Sequence, residues 1–179
     1  MLAASCRGGS GSTTGTSPSA SGTAGAPAGP ASLPAAYSQF GGSATVSVDG
    51  STIVIRTTDV PDHKSPYFGT GSASYEAPQA GMQVNPNRIA SQNIVLRLPA
   101  SPVAATASDT PLGPIGVAVN GVVLFNQYAA GRMPLTSEIL SFDRYNGHPS
   151  PSNQYHYHIE PLRSEEHTSE LQSRFGISY

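Results

Sequence analysis

Two Asx-Gly steps, Asp49-Gly50 and Asn120-Gly121, stand between short runs of β-branched and aromatic residues, and they constrain the fold of this chain more than any other feature. Both steps tolerate the positive φ that a tight hairpin turn demands. Ala44-Thr45-Val46-Ser47-Val48 and Thr52-Ile53-Val54-Ile55-Arg56-Thr57-Thr58 therefore read as two strands about a type I′-capable turn at Asp49-Gly50. Gly116 to Val119 and Val122 to Phe125 read as a second hairpin about Asn120-Gly121, and Ile94 to Leu98 as a further strand. Helical periodicity is nearly lacking. Met133 to Tyr145 holds at most one short helical turn, with Thr136 as its cap. The expected class is all-β, mainly antiparallel strands and hairpins in a β-sandwich-like arrangement.

The ends of the chain are of a different kind. From Arg7 to about Pro34 the residues are almost wholly Gly, Ser, Thr, Ala and Pro, which offer no apolar pattern to bury and read as a disordered tether. Cys6, the only cysteine, follows Leu2-Ala3-Ala4-Ser5 as a lipidated cysteine follows the small residues of a bacterial lipoprotein cleavage site. Residues 1–35 are thus expected to be a lipoprotein-like start and tether, and 36–162 the folded domain. At the other end, Arg163 to Ser173 equals one reading frame of a common sequencing-library adapter. Residues 163–179 are therefore expected to be an adapter-derived artefact and not a C-terminal helix.

Across the full chain 9 basic residues face 11 acidic ones. Without 163–179 the balance is 7 to 8, near neutral and without a basic cluster. That argues against a phosphate-tracking surface, and no nucleic acid partner is expected. No apolar run spans a bilayer. Membrane attachment is expected only through a lipid on Cys6, which places the domain in the cell envelope or outside a bacterial cell.

Chemistry concentrates between Glu138 and Glu160. In Tyr155-His156-Tyr157-His158 an extended strand puts both histidines on one face and both tyrosines on the other. His148 follows the turn signal Asn146-Gly147, which can fold it back toward that strand, and Glu138 and Asp143 supply carboxylates. His148, His156 and His158 with Glu138 or Asp143 form an N/O donor set that suits zinc or another transition metal. Two other readings stay open: an ordered polar core in which the histidines only hydrogen-bond, and a histidine acting as general base. No Ser or Cys stands in a nucleophile motif. His63, in Pro61-Asp62-His63-Lys64, reads as a loop residue without an assigned role.

Gly121, Phe125-Asn126, Glu138, Phe142-Asp143, Gly147-His148-Pro149 and Tyr155-His156-Tyr157-His158 before Pro161 together resemble the YHYH domain family, best from Gly113 to Leu162. The resemblance implies an exported bacterial domain without an established reaction. It also implies a further Gly-, Asp- and His-rich stretch beyond Leu162, without which the strand around Gln154 to Ile159 is expected to lack a neighbour on one side.

Three functions follow as expectations. The first is a tethered extracytoplasmic module that binds a transition metal through its histidines. The second is an exported metal-dependent hydrolase with Glu138 or Asp143 beside the ion. The third is a surface interaction or carbohydrate-binding module with Tyr67, Tyr75 and Tyr128 as an aromatic platform.

Overall fold

The computed structural model describes residues 32–161. Cys6, the tether up to residue 31 and the stretch 163–179 lie outside the described residues. The described chain is all-β, with mostly antiparallel strands and only short 3₁₀ turns as helix. None of its helices is long and apolar enough to cross a membrane.

The first expected hairpin forms as β1 (Ala44–Asp49) and β2 (Thr52–Thr57), paired antiparallel from Ala44↔Thr57 to Asp49↔Thr52. Because Asp49 pairs with Thr52, the turn residues are Gly50-Ser51, one step later than the dipeptide signal implies. Gly50 has φ +61° while Ser51 is not left-handed. Positive φ at the first turn position alone is the type II′ pattern, so the expected I′ turn gives way to it. β3 (Ile94–Pro99) pairs with the other edge of β2. Ala44, Ile53 and Ile55 bury one face of this sheet against Phe40, Leu96 and Val117.

The second sheet carries β4 (Pro114–Val117), β5 (Val123–Phe125), β8 (Gly147–Pro149) and β9 (Tyr155–Tyr157), in spatial order β4-β5-β9-β8. A small hairpin of β6 (Tyr128–Ala129) and β7 (Met133–Pro134) stands apart from it. The last strand of the described residues, β9, is thus an inner strand, parallel to β5 on one side and antiparallel to β8 on the other. The expectation that the segment lacks a neighbour is corrected here: β5, over thirty positions earlier, supplies it. The β8–β9 loop is Pro151-Ser152-Asn153, closed by Ser150 N–H to Gln154 O (2.8 Å) and Asn153 N–H to Ser150 O (2.9 Å). Asn153 takes φ +62°, the left-handed position that ends such a three-residue turn. Asn146-Gly147 does not make this reversal. It closes a separate turn, with Asn146 N–H bonded to Asp143 O.

The β4–β5 hairpin ties the two sheets together. Its loop is Val119-Asn120-Gly121, and Gly121 sits at φ +91° against Ser43, Ala44 and Thr57, with no room for a Cβ. Thr57 Oγ1 donates to Gly121 O at 2.6 Å. The expected helical turn appears as a 3₁₀ turn over Glu138–Ser141; it starts from Ser137, not Thr136, and has no side-chain cap.

Alanine at Gly121 should lower unfolding stability by about 2–4 kcal/mol, combining a left-handed backbone with an unavoidable contact. Urea denaturation of Gly121→Ala measures it; a loss under about 0.5 kcal/mol, the range of neutral surface changes, would contradict this close approach.

Candidate metal centre

Alternation along β9 gives the sheet two chemically different faces. Tyr155 and Tyr157 point to one of them, where they pack with Tyr67 and Val122 in a fully buried cluster flanked by Met82, Ile89 and Leu124. Their hydroxyls are all partnered, as buried phenols require. Tyr155 donates to Asp143 Oδ2 (2.7 Å), and Tyr67 donates to Ser141 O (2.5 Å). Tyr157 lies 3.0 Å from His63 Nε2 and receives the Asn120 amide at 3.1 Å. Burial raises the pKa of all three tyrosines, so they stay protonated.

His156 and His158 point to the opposite face, as the alternation implies. His148 joins them because β8 pairs with β9 in the register His148↔His156. One ligand nitrogen from each of the three lies within 4.8 Å of the other two. His156 Nε2 and His158 Nε2 are 3.1 Å apart. Phe125 on β5 stacks on His156 (centroids 4.0 Å, interplanar 22°) and Phe142 lies parallel to His158 (5.8 Å, 6°).

The outer ring nitrogens fix the protonation of this cluster. His156 Nδ1 faces Gln154 O (3.1 Å) and His158 Nδ1 faces Asn126 O (2.6 Å). A carbonyl only accepts, so both Nδ1 atoms carry hydrogen. Ser141 Oγ donates to Glu138 O (2.7 Å) and lies 2.7 Å from His148 Nδ1, which must therefore donate to it. In the neutral rings every Nε2 is then a bare lone pair aimed inward. His148 Nε2 is buried without a hydrogen-bond partner, an unfavourable state that a cation in the cluster would relieve.

Glu138 completes the set. Its Oε2 lies 3.5 Å from His158 Nε2 and 3.8 Å from His148 Nε2. Donor atoms around a tetrahedral ion held at about 2.0–2.1 Å lie about 3.3 Å from one another. The 3.1 and 3.5 Å spacings are close to that, and the wider ones, 3.8 Å and up to 4.8 Å, need the rings and Glu138 to draw inward for all four to reach one small ion. Asp143, the other expected carboxylate, is on the tyrosine face. Its Oδ2 also accepts Ser65 Oγ (2.6 Å), and Oδ1 accepts the backbone N–H of Tyr145 (2.9 Å) and Gly147 (3.3 Å). It anchors the β8 approach and does not face the histidines. Ser141 and the carbonyls of Asn126 and Gln154 are parts of the site that residue type alone did not mark. The aromatic platform is also corrected: Tyr67 is fully buried and cannot share a surface with Tyr75 and Tyr128.

The histidine face opens on a cleft of about 580 Å³. His148 and His156 are nonetheless well buried, and burial, with smaller contributions from neighbouring histidines, lowers their pKa to about 4 and about 3. Behind the sheet, buried Asp59 is pushed up to about 7 by desolvation, against a hydrogen bond from Val123 N–H to Oδ1 (2.9 Å) and the pull of the nearby Gln154 amide; no donor reaches its Oδ2.

In the unfolded chain histidine titrates at about 6.5. Between there and the lowered folded values the unfolded chain binds more protons, so the two histidines make the metal-free fold lose stability as pH falls. Asp59 acts with the opposite sign: the fold keeps a proton that the unfolded chain has lost, so its contribution falls as pH rises from 3.8 toward about 7. Two histidines outweigh one carboxyl. The urea midpoint of the metal-free protein should therefore drop from pH 7 to pH 5, and more steeply in Asp59→Asn. A midpoint that is flat or rises toward acid would contradict neutral buried imidazoles.

The family model described as YHYH protein matches residues 95–175, a span that holds β4 to β9 and runs on into the stretch read above as adapter. No curated protein and no solved structure matches the chain. The residues that give that family its name are the strand that builds both faces of this site, and residues 95–175 of the chain are similar to the YHYH protein family.

Proposed function

We propose that this YHYH domain binds one transition-metal ion, zinc or a neighbour in chemistry, through Nε2 of His148, His156 and His158, with Glu138 as the fourth donor. The observation that carries this reading is the convergence of three bare Nε2 atoms whose opposite nitrogens are held by Ser141, Gln154 and Asn126. A polar core that only hydrogen-bonds would turn at least one ring so that a donor met an acceptor inside the cluster. Here the inner atoms are all acceptors. Neutral imidazole and carboxylate favour zinc, copper, nickel or iron over calcium or magnesium. The Cys6 context and the Gly/Ser/Ala/Pro-rich stretch after it support a domain held on a lipid anchor outside the cytoplasm.

The metal-free chain should take up one equivalent of zinc at micromolar concentration by elemental analysis after desalting, and the triple variant His148→Ala, His156→Ala, His158→Ala should take up none. Absence of stoichiometric metal in the parent protein would sink the reading. Ser141→Ala removes the acceptor of His148 Nδ1–H and should weaken zinc affinity by about 10–100-fold. Competition with a chromogenic chelator measures it, and unchanged affinity would mean that this contact does not orient the ring.

A further inference from the structure

We infer that the ion is not sealed in the fold but accessible, and that the cleft above it takes a small, uncharged, largely apolar molecule that reaches the metal through an oxygen. The inference rests on the metal reading above and adds an occupant to the same site. Four protein donors alone would fit a closed structural centre, which needs no cavity. Here His148, His156, His158 and Glu138 all line a cleft of about 580 Å³, within the size range of sites for small organic ligands. Glu138 keeps about a third of its side chain in solvent, so one side of the cluster is open.

The walls decide the class of ligand. Phe125, Leu112, Tyr128, Ala129, Pro149 and Pro151 supply mainly apolar surface. Among the described residues no Lys or Arg lines the cleft, and Glu138 is the only carboxylate there. An anion would meet a carboxylate and no side-chain cation. An uncharged molecule with an apolar body loses little on entering and gains burial. Zinc-like ions expand to five donors, so an oxygen can bind without displacing a protein ligand. Asn85 and Asn87, whose amides both donate to Pro149 O, form a fixed polar rim on the cleft.

The test uses the full chain loaded with cobalt(II), whose visible absorption reports its donors, titrated with benzohydroxamic acid, acetohydroxamic acid and inorganic phosphate. Both hydroxamic acids are uncharged in neutral solution and bind metals through oxygen; the proton released on coordination passes to solvent, so that Glu138 stays a donor. Benzohydroxamic acid should change the spectrum saturably, with affinity about tenfold or more above acetohydroxamic acid, as burial of a phenyl ring implies. Phosphate should do nothing. Ala130→Trp, on the exposed wall of the cleft and away from the donors, should load cobalt normally and lose most of the benzohydroxamate response. Failure to load cobalt would overturn the metal reading and this inference with it. Normal loading with no spectral response, equal affinity for the two hydroxamic acids, a phosphate response, or an undiminished response in Ala130→Trp would overturn this inference alone.

Discussion

The parallel pairing of β9 with β5 is the constraint on which the rest depends. It makes a three-residue strand an inner strand of its sheet, so that every side chain on it faces protein on one side or the other. The tyrosines take the face that needs volume. They fill it with rings whose hydroxyls find Asp143, His63 and Asn120. The histidines are left to the other face, and the antiparallel register of β8 adds the third directly opposite His156. A slip of one residue would exchange the faces and lose both the core and the cluster.

Asp143 and Ser141 show how the two faces are coupled. Asp143 gathers Ser65, Tyr155 and two backbone amides, which fixes where β8 begins and hence where His148 stands. Ser141 accepts His148 on the histidine side, while its own carbonyl takes the Tyr67 hydroxyl of the tyrosine cluster. Ring orientation in the site is thus tied to core packing. Such an arrangement holds donor atoms in place before any ion arrives, which reduces the ordering cost of binding.

Much of this was legible in local sequence. Asp49-Gly50 and Asn120-Gly121 marked two hairpins, and the alternation in Tyr155 to His158 separated the two faces correctly. What failed were long-range relations. Nothing near His156 and Tyr157 announces that Val123 and Leu124 will lie beside them, because parallel pairing leaves no turn in the sequence. Turn chemistry also misled: Pro151-Ser152-Asn153 makes the reversal that Asn146-Gly147 seemed to offer. A carboxylate's residue type carries no direction, so Glu138 and Asp143 looked equivalent until the sheet put them on opposite sides. Tyr67 looked like surface for the same reason, since its partners come from segments far along the chain.

If the proposed ion binds, the three imidazoles hold hydrogen on Nδ1 and turn a lone pair on Nε2 toward it. Long-range proton–nitrogen NMR of the protein labelled with ¹⁵N-histidine, recorded with one equivalent of zinc, reads this directly. His148, His156 and His158 should each carry a proton on Nδ1 alone, with all three Nε2 resonances displaced when zinc is added. A proton on Nε2 of any of the three in the zinc-saturated protein, or Nε2 signals that zinc leaves unmoved, would contradict the account.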